Sequence, residues 1–464
     1  MSYVVSLTVC DSHYNVLKQH LFPGDGKEAA AMALCGRQSS LDRTRLLLRE
    51  VHPVPYAICT RRETDSISWP VEWLDDLVDR AAAEDLSLVK FHSHPIDYRQ
   101  FSSVDDRSDA RLFPGIHALV DRDIPHASVV LLPDGSMFGR TVGPEGEFTP
   151  LATINMVGDD LAFWRPKAPR SLHHSTGVGR NTPAFGRAMS AELCQLSAAV
   201  VGCSGTGSIV VEQLARLGLG RLILIDPERV EVKNLNRIVN ATWQDAIDGR
   251  EKVEVARRAI AAVGLGTAVE SHHGNLVDRK IVQAVANADL IFGCVDSAEA
   301  RDVLNRISSQ YLLPYFDVGV RIGALPDGTI DQIDGVIHYV KPAGASLLSR
   351  SAYRPSQVAA DALRRANPAL YDERRREKYI EGADEEMPAV ISLNMTMASL
   401  VVNECLARLY RTRNQPNHHY AFQRVNLAEM EIETEPEGAP CPAFRPLVGR
   451  GDTEPLLDLP ELSA

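Results

Sequence analysis

The chain has 464 residues, 45% hydrophobic and 24% charged, a balance that fits a soluble globular protein of two or three domains and excludes an intrinsically disordered one. A formal net charge of −12 argues against nucleic acid as a partner, because phosphate-backbone binding needs surplus Lys and Arg. No apolar run approaches the length of a bilayer span, so no membrane partner is expected.

The N-terminus, Met1-Ser-Tyr-Val-Val-Ser-Leu-Thr, lacks a basic region followed by a long apolar core, so no signal peptide is expected. Cysteines 10, 35, 59, 194, 203, 294, 405 and 441 are scattered, with no Cys-x-x-Cys pair. That is not a disulfide framework; it fits a reducing, cytoplasmic location.

Along the first 150 residues, short apolar runs alternate with turns. Tyr3–Val9, Val54–Cys59, Leu86–Phe91, Ile116–Val120 and Ala127–Leu132 read as strands, and Glu28–Leu34 and Val71–Ala83 as helices. The expectation is a mixed α/β domain over residues 1–155, then a Pro-, Ser-, His- and Gly-rich linker over 156–183. From residue 184 strands and helices alternate: Leu196–Val201, Gly207–Leu217, Arg221–Ile225, Lys252–Val263 and Ala288–Cys294. This implies a doubly wound parallel sheet over 184–330. Residues 331–464 read as an extension completing that domain. Within it, Gln357–Glu386 is a charged, exposed helical insertion, Ser392–Tyr410 an amphipathic helix, and the tail is rich in Pro and Gly.

Two groups of residues carry chemistry. The strand Leu86–Phe91 runs into His92-Ser93-His94-Pro95, and two positions apart on an extended chain both imidazoles point to one face. Asp105 follows, preceded by Ser102. Two His and a carboxylate are a recipe for catalytic zinc, leaving the fourth position open. The competing reading makes Ser102 and Asp105 a helix capping pair.

This His-Ser-His-Pro followed by Ser-x-x-Asp resembles the JAMM (MPN-plus, JAB) metallopeptidase signature, over about the first third of the chain. The resemblance implies a cytidine-deaminase-like fold in which His92, His94 and Asp105 hold zinc and Ser102 stabilises the oxyanion. It also implies a glutamate at an early helix as the proton acceptor: Glu28, before Ala-Ala-Ala-Met-Ala-Leu-Cys-Gly36, with Glu50 the competitor in a strand-like context. The alternative for Glu28 is a carboxylate interacting with a helix dipole.

The second group begins at Val201-Gly202-Cys203-Ser204-Gly205-Thr206-Gly207, glycines between a strand and a helix, where backbone N–H groups approach phosphate. Asp226 ends the next strand, where a carboxylate can bind ribose hydroxyls. A nicotinamide enzyme fits equally well to this point. Asn234-Leu-Asn-Arg237, Lys252 and Asp296 then add two cations, an amide and a carboxylate, suited to a triphosphate with magnesium. Taken singly, Lys252 reads as a solvated helix residue and Asp296 as a helix N-cap.

The stretch from Ala184 to Ile322 resembles the ThiF/MoeB/ubiquitin-activating superfamily. The resemblance implies that Gly202, Gly205, Gly207 and Asp226 bind ATP, that Asn234, Arg237 and Lys252 hold its phosphates, and that Asp296 holds magnesium. It also implies a homodimer in which Arg180, or alternatively Arg187, reaches the partner's nucleotide. The substrate it implies is the C-terminal glycine carboxylate of a ubiquitin-like protein. Where related proteins carry Cys-x-x-Cys pairs, this chain reads Ala343-Gly-Ala-Ser-Leu-Leu-Ser349, and only Cys441 remains near the end, so a structural zinc is not expected in this half. Cys441 is the acceptor-thiol candidate; Cys405 lies in an apolar helical pattern that suits a core position.

The expected function is a bifunctional enzyme of ubiquitin-like conjugation, isopeptidase and adenylating, with a separate conjugating enzyme as acceptor. Alternatives are activation of a sulfur-carrier protein through a thiocarboxylate, and a regulatory module that binds a ubiquitin-like tail without turnover. The His173-His174, His272-His273 and His418-His419 pairs read as solvated loop residues, and Arg374–Arg376 as an exposed helix face.

Overall fold

A computed structural model describes residues 4–41, 43–166, 189–324, 330–376 and 390–463. They fall into two compact units. The first spans Met1–Ala168 together with two short outliers, Gln310–Leu312 and Leu447–Thr453; the second holds the rest. Arg180, Arg187, His173 and His174 lie outside the described residues.

Among the described residues, the first unit is built on β1 (Val4–Cys10), β2 (Ala30–Ser39), β3 (Arg43–Pro53), the small hairpin β4 (Arg61–Arg62) and β5 (Ile67–Ser68), β6 (Ser87–Ser93), β7 (His126–Leu131), β8 (Met137–Val142), β9 (Phe148–Pro150), β10 (Ile154–Val157) and β11 (Leu161–Trp164). All but the hairpin join one sheet, in the order β11-β10-β1-β3-β2-β6-β7-β8-β9. Helix α1 (Asp11–Leu21) packs against one face. Helices α2 (Asp75–Glu84) and α3 (Ser103–Val120) cover the other.

The central strand β2 shows how the two cores divide. Ala31, Ala33 and Cys35 join the α1 side, while Met32 and Leu34 join the side of α2 and α3. Burying each Leu or Met this completely contributes on the order of 1.5–3 kcal/mol. A strand buried on both faces has no polar side, so its sequence is a continuous apolar run. This corrects the helix expected at Glu28–Leu34: an Ala-rich run of that length carries no periodicity to separate strand from buried helix. Two smaller corrections follow. Ile116–Val120 is the last turn of α3, and Val54–Cys59 leaves the sheet through a 3₁₀ turn at Tyr56–Ile58.

The sheet also runs past the boundary expected at residue 155. β10 pairs in parallel with β1, placing Leu7 opposite Ile154, and β11 pairs antiparallel with β10. At the other end of β2, Arg37 bridges to Gly451, and the Asp452 N–H donates to the Arg37 carbonyl at 2.7 Å. A side chain at Gly36 would overlap the Gly449 carbonyl oxygen, so this approach requires glycine.

The second unit holds a sheet ordered β14-β13-β12-β15-β16-β17-β18-β19 among the described residues. Its strands are β12 (Ser197–Val201), β13 (Arg221–Ile225), β14 (Ala268–His272), β15 (Leu290–Gly293), β16 (Tyr315–Ala324), β17 (Ile330–Val340), β18 (Phe422–Asn426) and β19 (Glu431–Glu435). The first five are parallel, as the alternation of strand and helix predicts. β17, β18 and β19 add antiparallel strands at one side. The chain winds outward from β12 through β13 to β14, then returns to the other side of β12 at β15. Ligands of open α/β sheets bind at such a reversal, outside the carboxyl ends of the strands.

Helices α4 (Gly205–Leu217), α5 (Trp243–Ile247), α6 (Lys252–Val263), α7 (Arg279–Ala286) and α8 (Ala298–Tyr311) accompany these strands. The charged segment begins with α9 (Pro355–Ala366) and α10 (Pro368–Arg376); residues 377–389 lie outside the described residues. Helix α11 (Ile391–Tyr410) packs against α4, where Gln213 donates to Ser399 Oγ at 2.9 Å. No described helix is long and apolar enough to cross a membrane.

Candidate functional site

In the first unit the alternation along β6 decides which side chains face α3. Val89 and Phe91 belong to the core under α1, so Leu88, Lys90 and His92 point the other way. His94 follows just beyond the strand, and α3 begins at Ser103 with Asp105 in its first turn. His92 Nε2 lies 3.1 Å from His94 Nε2 and 3.1 Å from Asp105 Oδ1, and His94 Nε2 lies 3.4 Å from Asp105 Oδ2. A tetrahedral zinc with bonds of about 2.0–2.1 Å has ligand–ligand edges of about 3.3 Å. These contacts use both Asp105 oxygens; one donor atom from each of the three residues lies within 4.8 Å of the other two, a group compact enough to close on a single ion, so the residues fit the metal.

His94 Nδ1 donates to the Tyr98 carbonyl at 2.6 Å. Burial lowers the His94 pKa, but the hydrogen bonds to Asp105 and Tyr98 outweigh it and raise it, so this ring must shed its Nε2 proton to take a metal. Burial lowers the His92 pKa, keeping the ring neutral. Burial also raises Asp105, but hydrogen bonds from His92, His94 and Ser102 overcome it and hold the carboxyl well below its ordinary range.

Ser102 and Asp105 form the capping box as well. Ser102 Oγ accepts the N–H groups of Val104 and Asp105, and Asp105 Oδ2 accepts the Ser102 N–H. The capping reading of the pair holds, and the cap of α3 is what aims Asp105 at His92 and His94.

Glu28 precedes β2 rather than opening a helix. Its neighbour Ala29 donates its N–H to Ser93 Oγ at 3.0 Å and accepts the Ser93 N–H at 3.1 Å, which ties Glu28 to the end of β6. The Glu28 carboxyl is buried, and desolvation raises its pKa to about 8, with the His94 charge opposing and Asp105 and Asp65 adding to the shift. Glu50 is engaged elsewhere, paired through both oxygens to Arg80 at 2.9 Å on β3. Glu28 is thus the carboxylate gathered with the triad. The helix-dipole alternative for it falls, since no helix starts there.

In the second unit the glycine loop leaves β12 and enters α4. Gly202 has φ +89°, and a side chain there would overlap the Cys294 carbonyl. At Gly207 it would overlap the Gly202 carbonyl, and at Gly205 it would stand 2.5 Å from Asn394 Nδ2. Gly202 and Gly207 are required by approaches to backbone, whereas the Asn394 side chain at Gly205 could move aside. Asp226, at the end of β13, accepts the Cys203 N–H at 2.7 Å through Oδ2 and the Glu228 N–H at 2.8 Å through Oδ1. Burial raises its pKa, and the nearby Lys252 ammonium opposes that shift.

Lys252 is buried at the start of α6 and pairs with Glu228. Arg237 lies beside Gly205, its Cδ 3.4 Å from where a Cβ would be. Asn234 Oδ1 accepts the Glu231 N–H at 3.0 Å, and its carbonyl accepts from Arg237 and Ile238. It shapes the turn that presents Arg237. Asp296 is exposed two residues beyond Cys294, whose carbonyl abuts Gly202. Loop, carboxylates and cations thus collect at the carboxyl ends of β12, β13 and β15, at the reversal in strand order.

A family model described as the ThiF family matches residues 178–443, more than half of the chain. The chain belongs to the ThiF family. A second family, prokaryotic homologs of the JAB domain, matches residues 11–138, so this ThiF-family protein is a JAB–ThiF fusion. It is similar to ubiquitin-like modifier-activating enzyme 5 of Drosophila willistoni, 31% identical over 156 residues, 31% of this chain and 36% of that relative. The enzyme of the same name from Caenorhabditis elegans is 32% identical over 155 residues, 31% and 34% of the two chains. The ThiF-family chain thus spans about a third of the length of these curated relatives. Among solved structures, E. coli MccB with ATP aligns with 18% identity and a TM-score of 0.41, covering 58% of this chain and 74% of that one.

Two groups of residues in this JAB–ThiF protein escape sequence reasoning. Asn394, at the start of α11, reaches back to the glycine loop and accepts the Thr206 hydroxyl at 3.2 Å. Lys90, Asp109 and Arg140 form a buried charge cluster beneath His92, His94 and Asp105. The signal for the second was a lysine inside the apolar run Leu88-Val-Lys90-Phe91; for Asn394 there was none.

The thiol expectation is corrected. Cys441 is 4% exposed and its N–H donates to the Gly344 carbonyl. Cys405 is 2% exposed, with burial pushing its thiol up. Thiols this enclosed cannot meet an acyl group carried by another protein.

Proposed function

We propose that this protein acts on the C-terminal tail of a ubiquitin-like protein with two chemistries, zinc-dependent cleavage in the JAB unit and ATP-dependent adenylation in the ThiF unit. The observation that carries the reading is the His92–His94–Asp105 triangle with buried Glu28, standing in the same chain as a complete glycine loop with Asp226, Arg237, Lys252 and Asp296.

In the JAB unit, His92, His94 and Asp105 would hold zinc. A zinc ion there supplies Lewis acidity and makes a water nucleophilic near neutral pH. Glu28, protonated near neutral pH in the metal-free site with a pKa of about 8, would serve as the base once the charge of a bound zinc ionises it, taking the proton from the attacking water and returning it to the leaving amine. Ser102 Oγ already accepts two backbone N–H groups, so its own O–H is directed outward to an oxyanion.

In the ThiF unit a glycine carboxylate oxygen attacks the α-phosphorus of ATP. The bond to the β-phosphate oxygen breaks, giving an acyl-adenylate and pyrophosphate. The loop N–H groups, Arg237 and Lys252 bind and neutralise the phosphates, and Asp296 would hold magnesium, which supplies further charge neutralisation when bound. The likeness to ubiquitin-like modifier-activating enzyme 5 supports this substrate class. A homodimer and a cytoplasmic location belong to the same reading.

One observation favours a second form of the chemistry. With Cys405 and Cys441 both buried, the adenylate is handed to an external nucleophile, a conjugating-enzyme thiol or a sulfur donor, rather than to either of these cysteines. ATP–pyrophosphate exchange with the purified chain, with and without a ubiquitin-like protein ending in glycine, tests the adenylating half. Exchange that depends on that protein supports the reading; none at all removes it.

A further inference from the structure

One turn below the metal triad lies a second set of charges that neither proposed reaction uses. On β6, Lys90 stands two residues before His92 on the same face; on α3, Asp109 stands four residues after Asp105 on the same face. The strand–helix contact therefore repeats: His92 meets Asp105, and Lys90 meets Asp109. Arg140, on β8, donates to Asp109 Oδ2 through Nη2 at 2.7 Å and through Nε at 3.3 Å, and pairs with Asp106 through Nη1. Both Asp109 oxygens are thus occupied by cations, and Asp109 and Lys90 are 0% and 3% exposed.

The Arg140 guanidinium is also held between the rings of Phe101 and Phe148, 3.7 Å from each centroid. Phe101 immediately precedes the Ser102 cap and lies 6.3 Å from the His92 ring. Arg140 therefore grips the chain on both sides of Asp105: Phe101 before it, Asp106 and Asp109 after it. A buried ion cluster is rarely kept for stability, because apolar residues of similar size usually do as well or better. Something else accounts for three charges in this place.

We propose that Lys90, Asp109 and Arg140 are positioning residues for the metal site, locking the first turns of α3 to β6 so that the Asp105 carboxylate is held at metal-ligand distance from His92 and His94. The inference rests on the metal-site reading. Partners that orient metal ligands typically contribute 10–100-fold in affinity.

The test is cobalt(II) binding to the full chain stripped of metal, followed by visible absorption, beside thermal melting of the same samples. The variant is Lys90→Met with Asp109→Leu, which removes one charge of each sign and leaves the Arg140–Asp106 pair. The expected result is a chain that still melts cooperatively, at a lower temperature because Arg140 loses its Asp109 partner, with cobalt affinity measured well below that melt about ten-fold or more lower. Affinity equal to wild type overturns the positioning role. A wild-type chain that takes up no cobalt overturns the metal reading itself, and the positioning role with it. Should the double variant not fold, Arg140→Lys keeps the charge but loses the forked contact and the ring sandwich. Weaker cobalt binding at unchanged melting temperature supports the proposal, and unchanged binding overturns it.

Discussion

Asp105 Oδ2 accepts the Ser102 N–H at 2.6 Å while Asp105 Oδ1 lies 3.1 Å from His92 Nε2, so one carboxylate closes a helix cap and completes a His-His-Asp group that could hold a metal. The cap does more than its hydrogen bonds here, because it sets the direction of a candidate ligand.

Ser102→Ala removes the acceptor for the Val104 and Asp105 N–H groups. The expected loss of stability is about 1 kcal/mol, the usual value for an N-cap hydroxyl. Cleavage of a ubiquitin-like fusion should fall by a larger factor than that stability loss explains. Thermal melting and a cleavage assay on the same preparation check this; equal effects on both would make Ser102 a cap only.

Glu28 gives a pH dependence in the metal-free protein. Its folded pKa is raised from 4.5 to about 8, so between those values the folded state keeps a proton that the unfolded state has released. Stability therefore falls as pH rises through that window. Glu28→Gln lacks this dependence. Melting temperatures with chelator present should show wild type losing ground to the variant from pH 5 to about 8, and parallel curves would show that Glu28 is not held protonated.

Gly207→Ala forces a methyl group onto the Gly202 carbonyl oxygen. The glycine loop must open to accept it, so ATP binding should be lost while cobalt binding by the JAB unit stays at the wild-type level. Isothermal titration with ATP and magnesium reads the first, and visible absorption the second.

Gly36→Ala meets the Gly449 carbonyl in the same way. Backbone cannot yield as a flexible side chain does, so the cost should exceed the ~0.5–1 kcal/mol by which alanine and glycine ordinarily differ. Chemical denaturation of the two chains gives the difference directly. A variant as stable as wild type would mean that the Leu447–Thr453 segment is not held against β2.

What the sequence determined by itself is local. His92 and His94 share a face because an extended chain repeats every two residues, and Asp105 faces them from the first turn of a helix whose cap is written in Ser-x-x-Asp. The glycine loop and Asp226 are legible for the same reason: a strand, a tight turn and a helix N-terminus are spelled out by neighbours in the chain. Tertiary structure decided the rest. The Glu28–Leu34 run became a strand because β3 and β6 flank it and both of its faces are buried, which an Ala-rich string does not announce. Asn394 reaches the glycine loop only because α11 packs on α4, and Cys441 lost its place as acceptor-thiol candidate because packing closed over it, while Cys405 is buried as its apolar helical pattern suggested. The Lys90–Asp109–Arg140 cluster joins two strands and a helix; Lys90 inside an apolar run hints at burial, but its partners Asp109 and Arg140 come from distant parts of the chain.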